Sequence, residues 1–130
     1  MARLLSAHQV ELVGADNVPE VITAKYILIA TGGRPSDPGI PGGKEYAISS
    51  DDIFWRTEKP GRTLVVGASY IALECGGFMK ALGVDVTIMV RSIFLRGFDQ
   101  QIANKIGDYM AAQGVKFIKG AVPLSIKLNS

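Results

Sequence analysis

The chain has 130 residues, the length of one ordinary domain, with 48% hydrophobic content, 15 glycines and a formal charge of +2. That balance fits a folded α/β protein rather than a disordered segment, and the small, scattered positive charge argues against a nucleic-acid or membrane-surface binder. No apolar run reaches the ~18 residues of a membrane helix, the N-terminus has no signal-peptide core, and the single cysteine, Cys75, excludes an intramolecular disulfide, a multi-cysteine metal site and a redox cysteine pair within this sequence. Such cysteine usage suggests a reducing compartment.

In chain order, "QVELVG" (Gln9 to Gly14) and "EVITAKYILIATGG" (Glu20 to Gly33) are expected to be strands joined by the turn-rich "ADNVP". Tyr26 to Ala30 is continuously apolar, as in a strand buried on both faces. Gly33 to Lys44 holds three prolines and four glycines in twelve residues and is expected to be an extended connector. In "ISSDDIFWR", Ser50 or Asp51 is expected to cap a short helix carrying Ile53, Phe54 and Trp55.

From Thr63 the pattern becomes regular. "TLVVG" is expected to be a buried strand and Tyr70 to Leu82 a helix closed by Gly83. Ile71, Cys75, Phe78 and Leu82 are its expected apolar face. "VDVTIMV" (Val84 to Val90) is a second buried strand. Asp99 is the expected N-cap of a helix over Gln100 to Gln113, with Ile102, Ile106, Tyr109 and Met110 as core stripe and Gly114 as terminator. Gly107 should weaken that helix by roughly 1 kcal/mol relative to alanine. "VKFIKG" (Val115 to Gly120) is a third strand. Strand, helix, strand, helix, strand is half of a doubly wound, Rossmann-like nucleotide-binding sheet.

"VVGASYIALE" (Val65 to Glu74) sits at the first turn of that unit. A pyrophosphate binds such a turn through the unpaired N–H groups and positive dipole end of the helix. The usual G-x-G-x-x-G is reduced here to Gly67, Ser69 and Ala72, so the alternative is a tight turn in a nucleotide-free α/β domain. An NAD site places an acid about 20 residues later for the ribose 2′-OH, whereas an NADP site supplies arginine for the 2′-phosphate. Here "MVRSIFLR" offers Arg91, Ser92 and Arg96 and no acid. The pattern favours NADPH; the alternative is a pair of solvated arginines. Tyr70 and Glu74 lie one helical turn apart and are expected to share a face toward a cofactor. The plainer roles are a half-buried aromatic and a solvated acid.

These residues carry a resemblance. "TLVVGASYIALECGGFMKALGVDVTIMVRSIFLRGFDQQ" (Thr63 to Gln101) resembles the NADPH-binding core of the large type of thioredoxin reductase. That type falls among the pyridine nucleotide–disulfide oxidoreductases, with thioredoxin–glutathione reductase and, more distantly, glutathione reductase. "ILIATGGRP" (Ile27 to Pro35) resembles the family's second flavin-contact motif. "YAISSDDIF" (Tyr46 to Phe54) resembles its crossing into the NADPH domain. The resemblance implies that residues 1–45 belong to an FAD-binding domain and residues 46–130 to the first half of an NADPH-binding domain. It implies that Gly67, Ala68, Ser69, Tyr70, Ile71, Ala72 and Leu73 hold the NADPH pyrophosphate, with Arg91, Ser92 and Arg96 on its 2′-phosphate. Tyr70 would gate the nicotinamide pocket, Glu74 would pair with a lysine near the flavin, and Ala30, Thr31 and Gly32 would contact FAD.

The sequence departs from the family in lacking its N-terminal G-x-G-x-x-G, its cysteine pair and its later motifs, and His8 does not supply the catalytic histidine. It is therefore expected to be an internal portion of a longer NADPH-dependent thioredoxin-disulfide reductase, with the FAD site incomplete and no reductase activity of its own. No catalytic residue and no metal ligand is assigned. The implied partners are the remainder of the parent, a second copy of it in a homodimer, and thioredoxin or a related disulfide. The expected compartment is the cytoplasm, with the mitochondrion as alternative. A second possibility is a stand-alone, non-catalytic NADP(H)-binding module. A short-chain dehydrogenase is disfavoured because none of the four tyrosines has lysine four residues on.

Overall fold

The computed structural model describes residues 1–129, which divide into two compact units, Met1–Gly33 and a second beginning at Arg34. The first unit is an antiparallel sheet of β1 (Ala2–Ser6), β2 (Gln9–Val13) and β3 (Pro19–Thr23), in that spatial order. Asp16 shapes the β2–β3 turn by accepting from the Val18 N–H at 3.1 Å, and Asn17 takes a positive φ of 58°. The strand β1 had no sequence signal beyond the pair Leu4 and Leu5. It forms because its backbone pairs with β2 from Ala2↔Leu12 to Ser6↔Gln9.

The long strand expected over Glu20 to Gly33 ends at Thr23. Tyr26 to Ala30 is neither a strand nor buried; Tyr26 is 82% and Leu28 88% exposed. A strand needs a neighbouring backbone, and among the described residues none pairs with this run. Apolarity alone cannot supply that partner.

The second unit begins with two short helices, α1 (Gly43–Tyr46) and α2 (Ser50–Ile53). The cap of α2 falls one residue before the expected positions. Ser49 Oγ accepts from the Asp51 N–H at 3.2 Å, and Asp52 Oδ2 accepts from the Ser49 N–H at 2.7 Å, a closed capping box. The bonds that the Ser49 N–H and the Ser49 hydroxyl, each at 2.7 Å, donate to Asp52 hold its carboxyl below its usual range. Phe54 and Trp55 lie beyond the helix end and are exposed.

The remainder is β4 (Thr63–Val66), α3 (Tyr70–Ala81), β5 (Val86–Val90), α4 (Gln100–Ala112) and β6 (Lys116–Lys119). The three strands are parallel in the order β4-β5-β6, as the alternation of strand and helix requires. Central β5 is the core: Val86, Ile88 and Val90 are all but fully buried. The expected burial of β4 is not reached: Thr63 and Val65 are half-buried and Leu64 and Val66 exposed, on a strand that among the described residues pairs only with β5. At the other end of the sheet, Lys116 Nζ donates to Asp85 Oδ1 at 2.8 Å and holds that carboxyl below its usual range.

Both long helices form where expected, with Ser69 and Asp99 at their N-cap positions, and Asp99 accepts from the Ile102 N–H at 2.9 Å. Their buried faces match expectation at Cys75 and Met110, with Phe78 partly buried, and differ elsewhere. On α3 the buried residues are Leu73, Cys75, Gly76 and Met79, while Ile71 and Leu82 are exposed. On α4 they are Ala103, Gly107 and Met110, while Ile102, Ile106 and Tyr109 are exposed. In each helix a glycine lies on the buried face. A Cβ on Gly76 would stand 2.8 Å from Ile88 Cδ1, and one on Gly107 2.5 Å from Phe94 Cε2. A stripe drawn through large apolar residues misses a face whose closest contact needs no side chain.

Candidate functional site

The strand β4 ends at Val66, and the chain turns out of the sheet at Gly67. Its φ of +121° is one that side-chain-bearing residues rarely adopt. The Gly67 N–H donates to the Met89 carbonyl at 3.0 Å, which fixes the turn against β5. A Cβ here would sit 3.8 Å from the Ala72 methyl, so Ala72 serves as the small third position of the motif. Ser69 is the extended N-cap of α3, and its hydroxyl makes no capping bond. The first intrahelical bond runs from the Leu73 N–H to the Ser69 carbonyl at 3.1 Å. The N–H groups at the start of a helix have no intrahelical acceptors and carry the positive dipole end. Side chains of this loop are small or, as for Tyr70, directed to solvent; Leu73 is the one that is buried.

A second loop leaves β5 beside it. Arg91, Ser92 and Arg96 are exposed, while Phe94 and Leu95 between them are buried. Arg96 Nη2 donates to Ser92 Oγ at 2.7 Å, closing the loop on itself. The Leu95 N–H donates to the Ala68 carbonyl at 2.9 Å, tying this loop directly to the glycine turn. Gln100 Nε2 reaches the carbonyls of Phe94 and Leu95 at 3.3 Å and of Phe98 at 3.0 Å. The structure thus brings Gly67, Ala68, Ser69 and Ala72 together with the loop bearing Arg91, Ser92 and Arg96, at the carboxyl ends of two adjacent parallel strands. Open parallel sheets bind their ligands at that edge. No carboxylate lies between Arg91 and Phe98.

The remaining candidates fall elsewhere. Glu74 and Ile71 line an open groove of about 720 Å³ with Arg34, Asp51, Trp55 and Phe78. Tyr70, at the start of α3, is exposed and does not line this groove. Among the described residues Glu74 has no ion-pair partner, whereas Arg34 and Asp51 pair at 2.7 Å. Cys75 is buried, and burial followed by the Glu74 charge pushes its thiol pKa up, the opposite of an activated cysteine. Ala30, Thr31 and Gly32 belong to the first unit, where they are exposed and Gly32 takes φ +71°. Among the described residues no cluster of ligating side chains could hold a metal ion, and no helix is long and apolar enough to cross a membrane.

Residues 3–130 match the family described as pyridine nucleotide-disulphide oxidoreductase. The chain belongs to that family. It is 56% identical over 126 residues to thioredoxin reductase SEP1 of Emiliania huxleyi, a match covering 97% of this chain and 26% of that protein. It is 61% identical over 105 residues to thioredoxin reductase of Plasmodium falciparum, covering 80% of this chain and 19% of that protein. The chain therefore spans about a quarter or less of the length of these curated relatives. Among solved structures it is similar to the HOCl-induced flavoprotein disulfide reductase RclA from Escherichia coli. The copper(II) complex of a cysteine-to-serine mutant aligns with TM-score 0.74 and 26% identity, over 99% of this chain and 30% of that one. Another RclA structure gives TM-score 0.70 and 28% identity, over 95% and 28% of the two chains. The two-sheet architecture, parallel βαβαβ unit and antiparallel strands, is thus that of flavoprotein disulfide reductases.

Within this oxidoreductase family, the two tied loops fit the pyridine nucleotide that the family name specifies. Gly67 gives close backbone approach, α3 gives N–H donors, and the arginines give fixed positive charge. The residues that hold the loops together were not singled out from sequence. Phe94, Leu95 and Gln100 sit inside the motif stretch, but nothing in their spacing marks them as buried or bridging. In the sequence Gly107 shows only as a helix weakener.

Proposed function

We propose that this chain binds NADPH at the joined glycine and arginine loops, within an NADPH-dependent flavoprotein that reduces thioredoxin or a related disulfide. The observation carrying this is the Leu95–Ala68 hydrogen bond. It couples the turn suited to a pyrophosphate to a loop with Arg91, Ser92 and Arg96 and no acid. Gly67 through Leu73 would bind the pyrophosphate. Arg91, Ser92 and Arg96 would bind the 2′-phosphate, the Arg96 fork opposing its charge while Ser92 sets the fork's direction. Bound NADPH would supply a hydride to the flavin, and the family chemistry then passes electrons to a disulfide.

The chain's own contribution is binding and orientation. Tyr70, exposed at the start of α3, would cover the nicotinamide end of the nucleotide, and Glu74 would face the flavin side. Ala30, Thr31 and Gly32 would contact FAD. Residues 1–45 would belong to the FAD domain and 46–130 to the NADPH domain, in a cytoplasmic homodimer.

Parallel calorimetric titrations of the purified chain with NADPH and NADH test the nucleotide assignment. NADPH is expected to bind at least about tenfold more tightly, the value of one charge-assisted contact. Equal affinities would remove the 2′-phosphate from the interaction.

A further inference from the structure

We propose that Gly107 is a positioning residue for the arginine loop, setting its distance from the glycine turn although glycine has no side chain to touch a ligand. The inference rests on the assignment of Arg91, Ser92 and Arg96 to the 2′-phosphate. Gly107 lies in the middle of α4 and is buried. A Cβ there would stand 2.5, 2.9 and 3.0 Å from three ring atoms of Phe94, so the ring occupies a notch that only glycine leaves. The ring has little room to retreat. It packs edge-on against Phe117 with centroids 5.0 Å apart, and Lys119 Nζ lies 5.1 Å from its centre. Alanine would favour the helix at this position, so the notch runs against local propensity.

Phe94 precedes Leu95, which has φ +46°, a left-handed conformation that leucine keeps only when its surroundings hold it. Those surroundings are the seated ring, the buried Leu95 side chain and the Gln100 amide on both carbonyls. In that conformation the Leu95 N–H meets the Ala68 carbonyl, and the next residue is Arg96. Displacing the ring would move Leu95, lengthen the tie to Ala68 and shift Arg96 relative to Gly67.

The test compares adenosine 2′,5′-bisphosphate with adenosine 5′-monophosphate, which differ only in the 2′-phosphate. Affinities are measured by calorimetry on wild type, Gly107→Ala, Phe94→Leu and the double variant, with hydrogen exchange read at the Leu95 amide. Gly107→Ala is expected to weaken the bisphosphate about tenfold, leave the monophosphate unchanged and speed exchange at Leu95. Adding Phe94→Leu to Gly107→Ala makes room for the methyl and is expected to restore part of the discrimination. Should Gly107→Ala not fold, Phe94→Leu alone, which leaves the Gly107 notch unfilled, is expected to show the same selective loss. A folded Gly107→Ala with wild-type discrimination and wild-type exchange at Leu95 overturns the positioning role alone. A wild type that does not distinguish the two ligands overturns the 2′-phosphate assignment and this inference with it.

Discussion

Replacing Arg91 and Arg96 together by glutamate is expected to reverse the preference for NADPH over NADH. Each arginine would contribute a charge-assisted contact worth about 1.5–3 kcal/mol, so losing both weakens NADPH by about 100-fold or more. The new carboxylates add repulsion toward a 2′-phosphate. NADH carries a 2′-hydroxyl there, and a carboxylate at the end of this strand is the group that accepts from it. NADH binding should therefore hold or improve. The Leu95 N–H, the Gln100 amide and the buried Phe94 remain, so the loop keeps its tie to Ala68. Calorimetry with both nucleotides reads the outcome. Unchanged NADPH affinity would take both arginines out of the site.

The largest loss of stability is expected from Ile88→Ala. Ile88 is 0% exposed at the centre of β5, and its Cδ1 fills the space that Gly76 leaves on α3. Removing it opens a cavity between sheet and helix and should cost about 2–5 kcal/mol, a large part of the ~5–15 kcal/mol typical of a whole domain. Urea denaturation followed by circular dichroism gives the number. Leu82→Ala is the comparison, since Leu82 is 67% exposed and should change stability by no more than about 0.5 kcal/mol. Similar losses for the two variants would mean that α3 packs on the face drawn from the large apolar residues rather than on the face that contains Gly76.

That contrast shows where the sequence was legible. The strands of the βαβαβ unit, both long helices and the cap at Asp99 follow from period, turn chemistry and N-cap preference, all local properties. The turn at Gly67 was legible because its φ of +121° is one that glycine alone adopts readily. The buried helix faces were legible only in part, at Cys75 and Met110. A glycine at the tightest contact reads as a weak helix former, and its meaning depends on Ile88 or Phe94 across the interface. Tyr26 to Ala30 failed for a related reason. Its apolar run states a preference for burial, but burial depends on a pairing strand, which is not a local property. The tie between the two loops was equally illegible, since a backbone bond from Leu95 to Ala68 leaves no mark on either side chain.

Nuclear magnetic resonance of the labelled chain during NADPH and NADH titrations addresses the joint loop site most sharply. Signals from the Arg91 and Arg96 guanidinium Nε–H groups should shift with NADPH and stay in place with NADH. The amides of Gly67 through Ala72 should shift with both, because both nucleotides carry the pyrophosphate. Arginine signals that ignore NADPH while the glycine-turn amides respond would contradict the joint site and leave a pyrophosphate turn without a 2′-phosphate partner.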